Sequence, residues 1–224
     1  MVDIENWMKE FTAAVQGEFG NEVCFIGLQG SYGRSEATET SDIDVVVIFD
    51  RLTAERIERY ERAIGKLPYR DRICGFVSGR EELMRWDRAD LFQFCRDTRP
   101  MAGTLDGLTP AISEDDARRS VLIGACGIDH ACCHNLLHEK SLDMLCGLRK
   151  AAFFTMRARH YCETGTFIVK RSDLAALVSN EDAEILNFKA NGVNEDNLRE
   201  ISSKLLDWSG KLIKEYGAPC GEVL

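Results

Sequence analysis

Asp42 and Asp44 stand one residue apart at the head of an apolar run, DIDVVVIF, and Gly30 and Ser31 precede them across a short polar loop. On an extended strand, residues i and i+2 point to one face with Cα atoms roughly 6 to 7 Å apart, so the two carboxylates aim at a common point. Left unneutralised, such a pair pushes one of its pKa values up; a divalent cation removes the repulsion. Mg²⁺ suits the position, because it takes hard oxygen ligands and binds through one or two carboxylates completed by substrate phosphates.

Upstream, Gly30 lets the backbone approach a ligand closely, and Ser31 offers both hydroxyl and amide at the end of a strand. These are groups that cradle phosphate. Arg34 adds a cationic fork for the same oxygens, and Ser41, directly before the first aspartate, is a further hydroxyl within reach. Two other phosphate or metal loops are excluded: an EF-hand needs a glycine and a terminal glutamate that are missing, and a Walker A loop needs G-K-[ST] after its glycines. The bland alternative, a solvent-facing strand edge with alternating acids, leaves the Gly-Ser step unexplained. The residues Gly30, Ser31, Arg34, Ser41, Asp42 and Asp44 therefore read as the parts of metal-assisted phosphoryl transfer.

Positioning them requires a strand, a loop and a second strand. EVCFIGLQ is a short apolar strand, GSYGRSEATETS is a loop by its Gly, Ser and Thr content, and DIDVVVIF is rich in β-branched residues. A helix precedes them, with Ile4, Trp7, Met8, Phe11 and Val15 on one face behind an Asp3 N-cap. Another follows from Thr53, with Ile57, Tyr60, Ile64 and Leu67 at helical spacing until Pro68. RICGFVSG and LFQFCRD read as two further strands around a helical turn at REELMRW, and RPMAGTLDGLTP as a linker. From Ser113 onward every long window fits a helix: through Glu139, from Ser141 to Gly165, from Ser172, from Glu181, and from Asn194 to Tyr216. Leu142, Leu145, Leu148, Ala152, Met156 and His160 form a stripe on the second of these, as in an up-and-down bundle. The expected organisation is an α/β (α+β) domain with a short mixed sheet over residues 1–110 and an all-helical bundle over 111–224.

The 224 residues carry 45% hydrophobic content, enough for a real core, and a formal net charge of -9. That balance argues against long nucleic acid as a partner, since a phosphate backbone is met by clustered Lys and Arg. Nine cysteines with no C-x-x-C suggest neither a disulfide framework nor a zinc ribbon. The acidic N-terminus, MVDIENWMKEF, and the lack of a long apolar run lead to the expectation of a cytoplasmic protein with no membrane partner.

GSYGRSEATETSDIDVVV resembles the Gly-Ser, then Asp-x-Asp motif of the DNA polymerase β-like nucleotidyltransferase superfamily. The resemblance implies that Gly30 and Ser31 take the triphosphate of a nucleoside triphosphate, with ATP the expected donor. It also implies that Asp42 and Asp44 hold Mg²⁺ while an acceptor hydroxyl attacks the α-phosphate. More loosely, the whole chain is similar to bacterial kanamycin-type nucleotidyltransferases, which pair this domain with a helical bundle. That likeness implies a small, aminoglycoside-like acceptor and a general base from the bundle, with Asp129, His130, His134 and Glu139 as the titratable choices and Asp129 or His130 foremost.

One departure from the superfamily pattern matters. A third carboxylate is expected on the strand after the connecting helix, where this chain has Cys74 and Gly75. Either Asp71 or Asp90 substitutes for it, or catalysis is weak or lost. Elsewhere, Cys126, His130, His134 and His138 recur every four residues along one predicted helix. Each step climbs about 6 Å, so a neighbouring pair could share an ion but all four could not, and polar positions of a bundle helix are the simpler reading.

The leading expectation is thus Mg²⁺-dependent transfer of a nucleoside monophosphate to a hydroxyl of a small, cationic or neutral molecule held between the two domains. Protein AMPylation, as by bacterial nucleotidyltransferase antitoxins, is the alternative enzyme. A nucleotide-binding module without chemistry is the alternative from another class.

Overall fold

The computed structural model describes residues 1–188 and 195–217, with only the backbone of 195–197. Asn194 and Cys220 lie outside the described residues. The chain divides into two compact units, Met1–Ala111 and Ile112–Leu224.

The first unit opens with α1 (Ile4–Phe19), capped by Asp3, whose side chain accepts the amide of Asn6. Its buried face is Trp7, Met8, Phe11, Val15 and Phe19. Then follow β1 (Val23–Leu28), a one-turn helix α2 (Gly30–Gly33), β2 (Ile43–Phe49) and α3 (Ala54–Ile64), the last capped by Thr53. β3 (Ile73–Gly79), α4 (Arg80–Met84), α5 (Arg88–Asp97) and β4 (Arg99–Ala102) complete the unit. The sheet order is β3-β2-β1-β4. β1 runs antiparallel to β2 and β4, and β2 runs parallel to β3, giving a mixed sheet.

The pleat of β2 divides the unit into two faces. Ile43, Val45, Val47 and Phe49 join the core formed with Met8, Phe11 and Val15 of α1 and with Tyr60 and Ile64 of α3. Burying each such side chain contributes about 1.5–3 kcal/mol. Asp44, Val46 and Ile48 therefore face the other way. On that second face Phe76 of β3 packs edge-on against Trp86 (centroids 5.2 Å apart) and at a tilt against Phe94 of α5 (4.9 Å).

Three expectations for this unit are corrected. LFQFCRD is helical, within α5: Asp87 caps it by accepting the amide of Ala89, and Ala89, Leu91 and Phe92 share the buried face. RPMA, expected in a linker, is the edge strand β4, whose place at the sheet edge tolerates the missing N–H of Pro100. The loop after β1 begins with the turn of helix α2.

The second unit is all helical: α6 (Glu114–His134), α7 (Leu142–Thr164), α8 (Arg171–Ala175), α9 (Asn180–Asn187) and α10 (Glu195–Tyr216). Ser113 and Asp116 close a capping box on α6, Ser141 caps α7, and Gly165 ends α7 in the left-handed region. α6 continues into a π-helical turn over Asn135–Glu139. Gly124 lets α6 approach α7, because a Cβ there would fall 2.2 Å from Thr155 Oγ1. The Trp208 indole N–H donates to Asp182 Oδ1 at 2.7 Å, tying α10 to α9. Among the described residues no helix is long and apolar enough to cross a membrane.

Candidate active site

β1 and β2 are antiparallel with Leu28 opposite Val45, so the chain leaves β1 beside the point where it later enters β2. The Gln29 amide extends this ladder, donating to the Asp44 carbonyl at 2.8 Å. The Gln29 side chain is held in turn, its Nε2 donating to Thr98 Oγ1 at 2.5 Å and to the Phe94 carbonyl at 3.2 Å.

Gly30 follows at φ +66, and a Cβ built on it would fall 1.8 Å from Asp44 Oδ2. The Asp44 carboxylate thus lies against the Gly30 backbone, an approach that only glycine permits. Ser31 comes next in α2, half-buried. The Gly-Ser step and the second aspartate, fourteen positions apart in the chain, are brought together.

Asp42 is exposed and sits just ahead of β2, which begins at Ile43. The Ser41 hydroxyl accepts the Thr38 amide at 2.8 Å and lies 3.1 Å from the Thr38 hydroxyl, closing the loop before the strand. The Ser41 carbonyl accepts the Arg72 guanidinium, with Nε at 3.0 Å, and Arg72 Nη2 also donates to the Tyr32 hydroxyl at 3.0 Å. Sequence reasoning missed this arginine, because nothing near Arg72 in the chain signals a contact with Ser41.

Arg34 is buried, pairing with Asp97 at 2.8 Å and with Glu36 at 3.3 Å. Asp97 was also missed; it ends α5 and is as buried as its partner. In this arrangement Arg34 fastens α2 to the end of α5.

The position of the absent third acid is now definable. In the parallel β2–β3 register Cys74 is the partner of Asp44, exposed and on the same face. Gly75 has φ +136, and a Cβ there would fall 1.9 Å from the Val45 carbonyl oxygen, so no acid fits at 75. Asp71 is exposed in the 3-10 turn Arg70–Arg72, and Asp90 is exposed in the first turn of α5.

In the helical unit, Cys126, His130 and His134 lie on an exposed face of α6. The π-helical turn takes His138 out of their spacing, although its ring stays 5.0 Å from that of His134, which faces Glu139 at 3.5 Å. Asp129 is half-buried and accepts the Ser209 hydroxyl at 3.3 Å, whereas His130 is exposed. Lys150 is exposed on α7.

The strand ends fit a Mg²⁺ ion by donor chemistry. Asp42 and Asp44 supply hard carboxylate oxygens, and the glycine cradle leaves Asp44 uncovered by a neighbouring side chain at position 30. Among the described residues no group of three His, Cys, Asp or Glu gathers into an all-protein cage. Two carboxylates are what Mg²⁺ uses when phosphates complete its coordination.

Residues 8–88 match the family model of the nucleotidyltransferase domain. A segment of 58 residues is 38% identical to a protein of Methanocaldococcus jannaschii named as a candidate protein adenylyltransferase; it covers 26% of this chain and 40% of that protein. The chain thus spans about two fifths of the length of this relative. In structure, the chain is similar to the spectinomycin adenyltransferase AAD(9) from Enterococcus faecialis, solved with ATP and spectinomycin. The TM-score is 0.55 at 14% sequence identity, covering 90% of this chain and 98% of that one. The fold is that of a nucleotidyltransferase domain joined to a helical unit.

Proposed function

We propose that this chain, which carries a nucleotidyltransferase domain at residues 8–88, transfers a nucleoside monophosphate from a nucleoside triphosphate to an acceptor hydroxyl. The observation that carries the proposal is the approach of the Asp44 carboxylate to the Gly30 backbone, which supports reading the two as metal ligand and phosphate-cradling turn. Asp42 and Asp44 would hold Mg²⁺, and Gly30 and Ser31 would take the triphosphate through backbone N–H groups and the Ser31 hydroxyl. Ser41 holds the loop ahead of Asp42, and Arg34 holds α2 in place beside the same phosphates. Mg²⁺, when bound, supplies charge neutralisation at the phosphoryl oxygens. The acceptor oxygen bonds to the α-phosphorus, the bond to the β-phosphate oxygen breaks, pyrophosphate leaves, and the hydroxyl proton passes to a base.

For the donor, ATP is the proposed nucleotide, supported by its presence in the spectinomycin adenyltransferase of similar fold. For the acceptor, a small cationic or neutral hydroxylated molecule is the first reading. A chain of net charge -9 attracts cations and repels polyanions, and the same structural relative was solved with spectinomycin. Protein adenylylation is the second reading, favoured by the 38% identity to the Methanocaldococcus jannaschii protein. Cytoplasmic residence belongs to either proposal.

The test is incubation with α-labelled ATP and Mg²⁺, separately with a panel of aminoglycosides and with candidate protein acceptors. Pyrophosphate release with label on a small molecule supports the first reading, and label on protein the second. Nucleotide binding without pyrophosphate would leave a non-catalytic module. If the Asp42→Asn, Asp44→Asn double variant keeps full turnover or binding, the proposed site is wrong.

A further inference from the structure

The two aspartates are held by different means. Asp44 lies within the ladder, with its carbonyl bonded to Gln29 and its residue paired in register with Cys74 of β3. Asp42 precedes the strand and is exposed. A metal ligand outside the ladder needs another constraint, because an unsupported backbone samples many orientations at a cost in binding entropy.

We propose that Arg72 is the positioning residue for Asp42, an inference that rests on the reading of Asp42 and Asp44 as metal ligands. The Ser41 carbonyl and the Asp42 nitrogen belong to one planar peptide unit. Fixing that carbonyl fixes the plane from which the Asp42 Cα departs. The Arg72 guanidinium does this from Nε and Nη2, and its third bond, from Nη2 to the Tyr32 hydroxyl at 3.0 Å, anchors the fork to the α2 turn that carries Gly30 and Ser31. One side chain thus joins the peptide before Asp42 to the phosphate-cradling turn.

The arginine is itself delivered by local structure. Tyr69 adopts φ 59, in the left-handed region that non-glycine residues rarely enter. Its carbonyl accepts the Arg72 amide at 2.9 Å, closing the turn, and its ring lies 5.6 Å from the guanidinium carbon. Immediately afterwards Ile73 enters β3 opposite Ile43, so the arginine stands at the mouth of the strand neighbouring the one that Asp42 precedes. A lysine replaces it only in part, since an ammonium lacks the rigid planar fork that fixes two acceptors in one geometry.

The sign of the effect separates positioning from simple electrostatics. Removing a cation near two carboxylates should by charge alone strengthen metal binding, whereas loss of positioning weakens it. The experiment is Mn²⁺ titration followed by electron paramagnetic resonance, with and without a non-hydrolysable ATP analogue, on wild type, Asp44→Asn, Arg72→Met, Arg72→Lys and Tyr32→Phe. Thermal unfolding is measured on each. Arg72→Met is expected to weaken Mn²⁺ binding about tenfold, as loss of a group supporting a metal ligand does. Arg72→Lys should recover only part of the loss, Tyr32→Phe should weaken binding by a smaller factor, and added methylguanidinium should partly rescue Arg72→Met.

Unchanged or tighter binding by folded Arg72→Met overturns the inference while leaving the metal site intact. If Arg72→Met does not fold, unchanged binding by Tyr32→Phe and full recovery in Arg72→Lys overturn it instead. Failure of the wild type to bind Mn²⁺, or equal binding by Asp44→Asn, removes the metal site and the inference with it.

Discussion

Cys74 on β3 stands opposite Asp44 on β2 in a parallel register, on the same face of the sheet, so an exposed thiol occupies the strand position directly beside the second aspartate. Gly75 beside it admits no side chain. Cys74→Asp is accordingly expected to tighten Mn²⁺ binding about tenfold, the effect of roughly 1.4 kcal/mol, by adding a hard oxygen donor. Without metal the substitution should cost more stability, relative to wild type at the same pH, at neutral pH than at pH 4, through repulsion with Asp44. A Mn²⁺ titration checks the first outcome and melting curves of both proteins at each pH the second; unchanged binding would place the residue 74 side chain away from the metal.

Gly30 and Gly20 share positive φ but not surroundings. A Cβ at Gly30 meets Asp44 Oδ2 at 1.8 Å, while one at Gly20 (φ +54) meets nothing within 4 Å. Alanine at either position should cost about 1–2 kcal/mol of backbone strain, read as a lowered unfolding midpoint. Gly30→Ala alone should also abolish Mn²⁺-dependent nucleotide binding, and retention of that binding would show that Asp44 need not lie against the turn.

The buried Arg34–Asp97 pair predicts a stability difference between neighbouring sites. Arg34→Met leaves Asp97 buried without its guanidinium and should cost about 3–5 kcal/mol. Glu36→Gln removes the more exposed partner and should cost no more than about 1 kcal/mol. Urea unfolding of the two variants decides whether Arg34 is chiefly a structural tie or a group free for phosphate, since the latter predicts little loss in either.

Cys132 is fully buried on α6, where its thiol donates to the Ser202 carbonyl at 3.2 Å, and burial pushes its pKa from 9.0 up to about 11. The folded value lies above the unfolded one. The corresponding stability is therefore complete below about pH 9 and is lost as pH rises through 11. Unfolding midpoints of wild type should fall across that window and those of Cys132→Ala should fall less steeply. Tyr216, pushed up to about 12 mainly by burial, keeps a residual slope in both; parallel slopes would remove Cys132 as the source.

Where local pattern and tertiary environment agree, the sequence was legible. The β-branched run of β2, the Thr53 cap of α3 and the Ser113 cap of α6 need no distant partner to be read. α5 misled because Leu91, Phe92 and Phe94 cluster as in a strand, although the buried set Ala89, Leu91 and Phe92 belongs to a helix face started by Asp87. β4 misled through Pro100, which speaks against a central strand but not an edge. At the site, the spacing of Asp42 and Asp44 and the Gly-Ser step are visible in one short stretch. The partners that hold them, Gln29 through Thr98, Arg34 through Asp97 and Ser41 through Arg72, join residues 31 to 69 positions apart, and no local pattern encodes such pairs.

The sheet unit keeps a core of its own, built by α1, α3 and β2, and all four residues proposed for metal and triphosphate belong to it. Selection can therefore act on the two halves under separate rules. A change on the surface of a downstream helix costs the strand ends little, whereas any side chain at Gly30 or Gly75 meets the neighbouring strand within 2 Å. Under the proposed function, homologues should accordingly diverge faster downstream of residue 111 than at the strand ends that carry Gly30, Asp42 and Asp44.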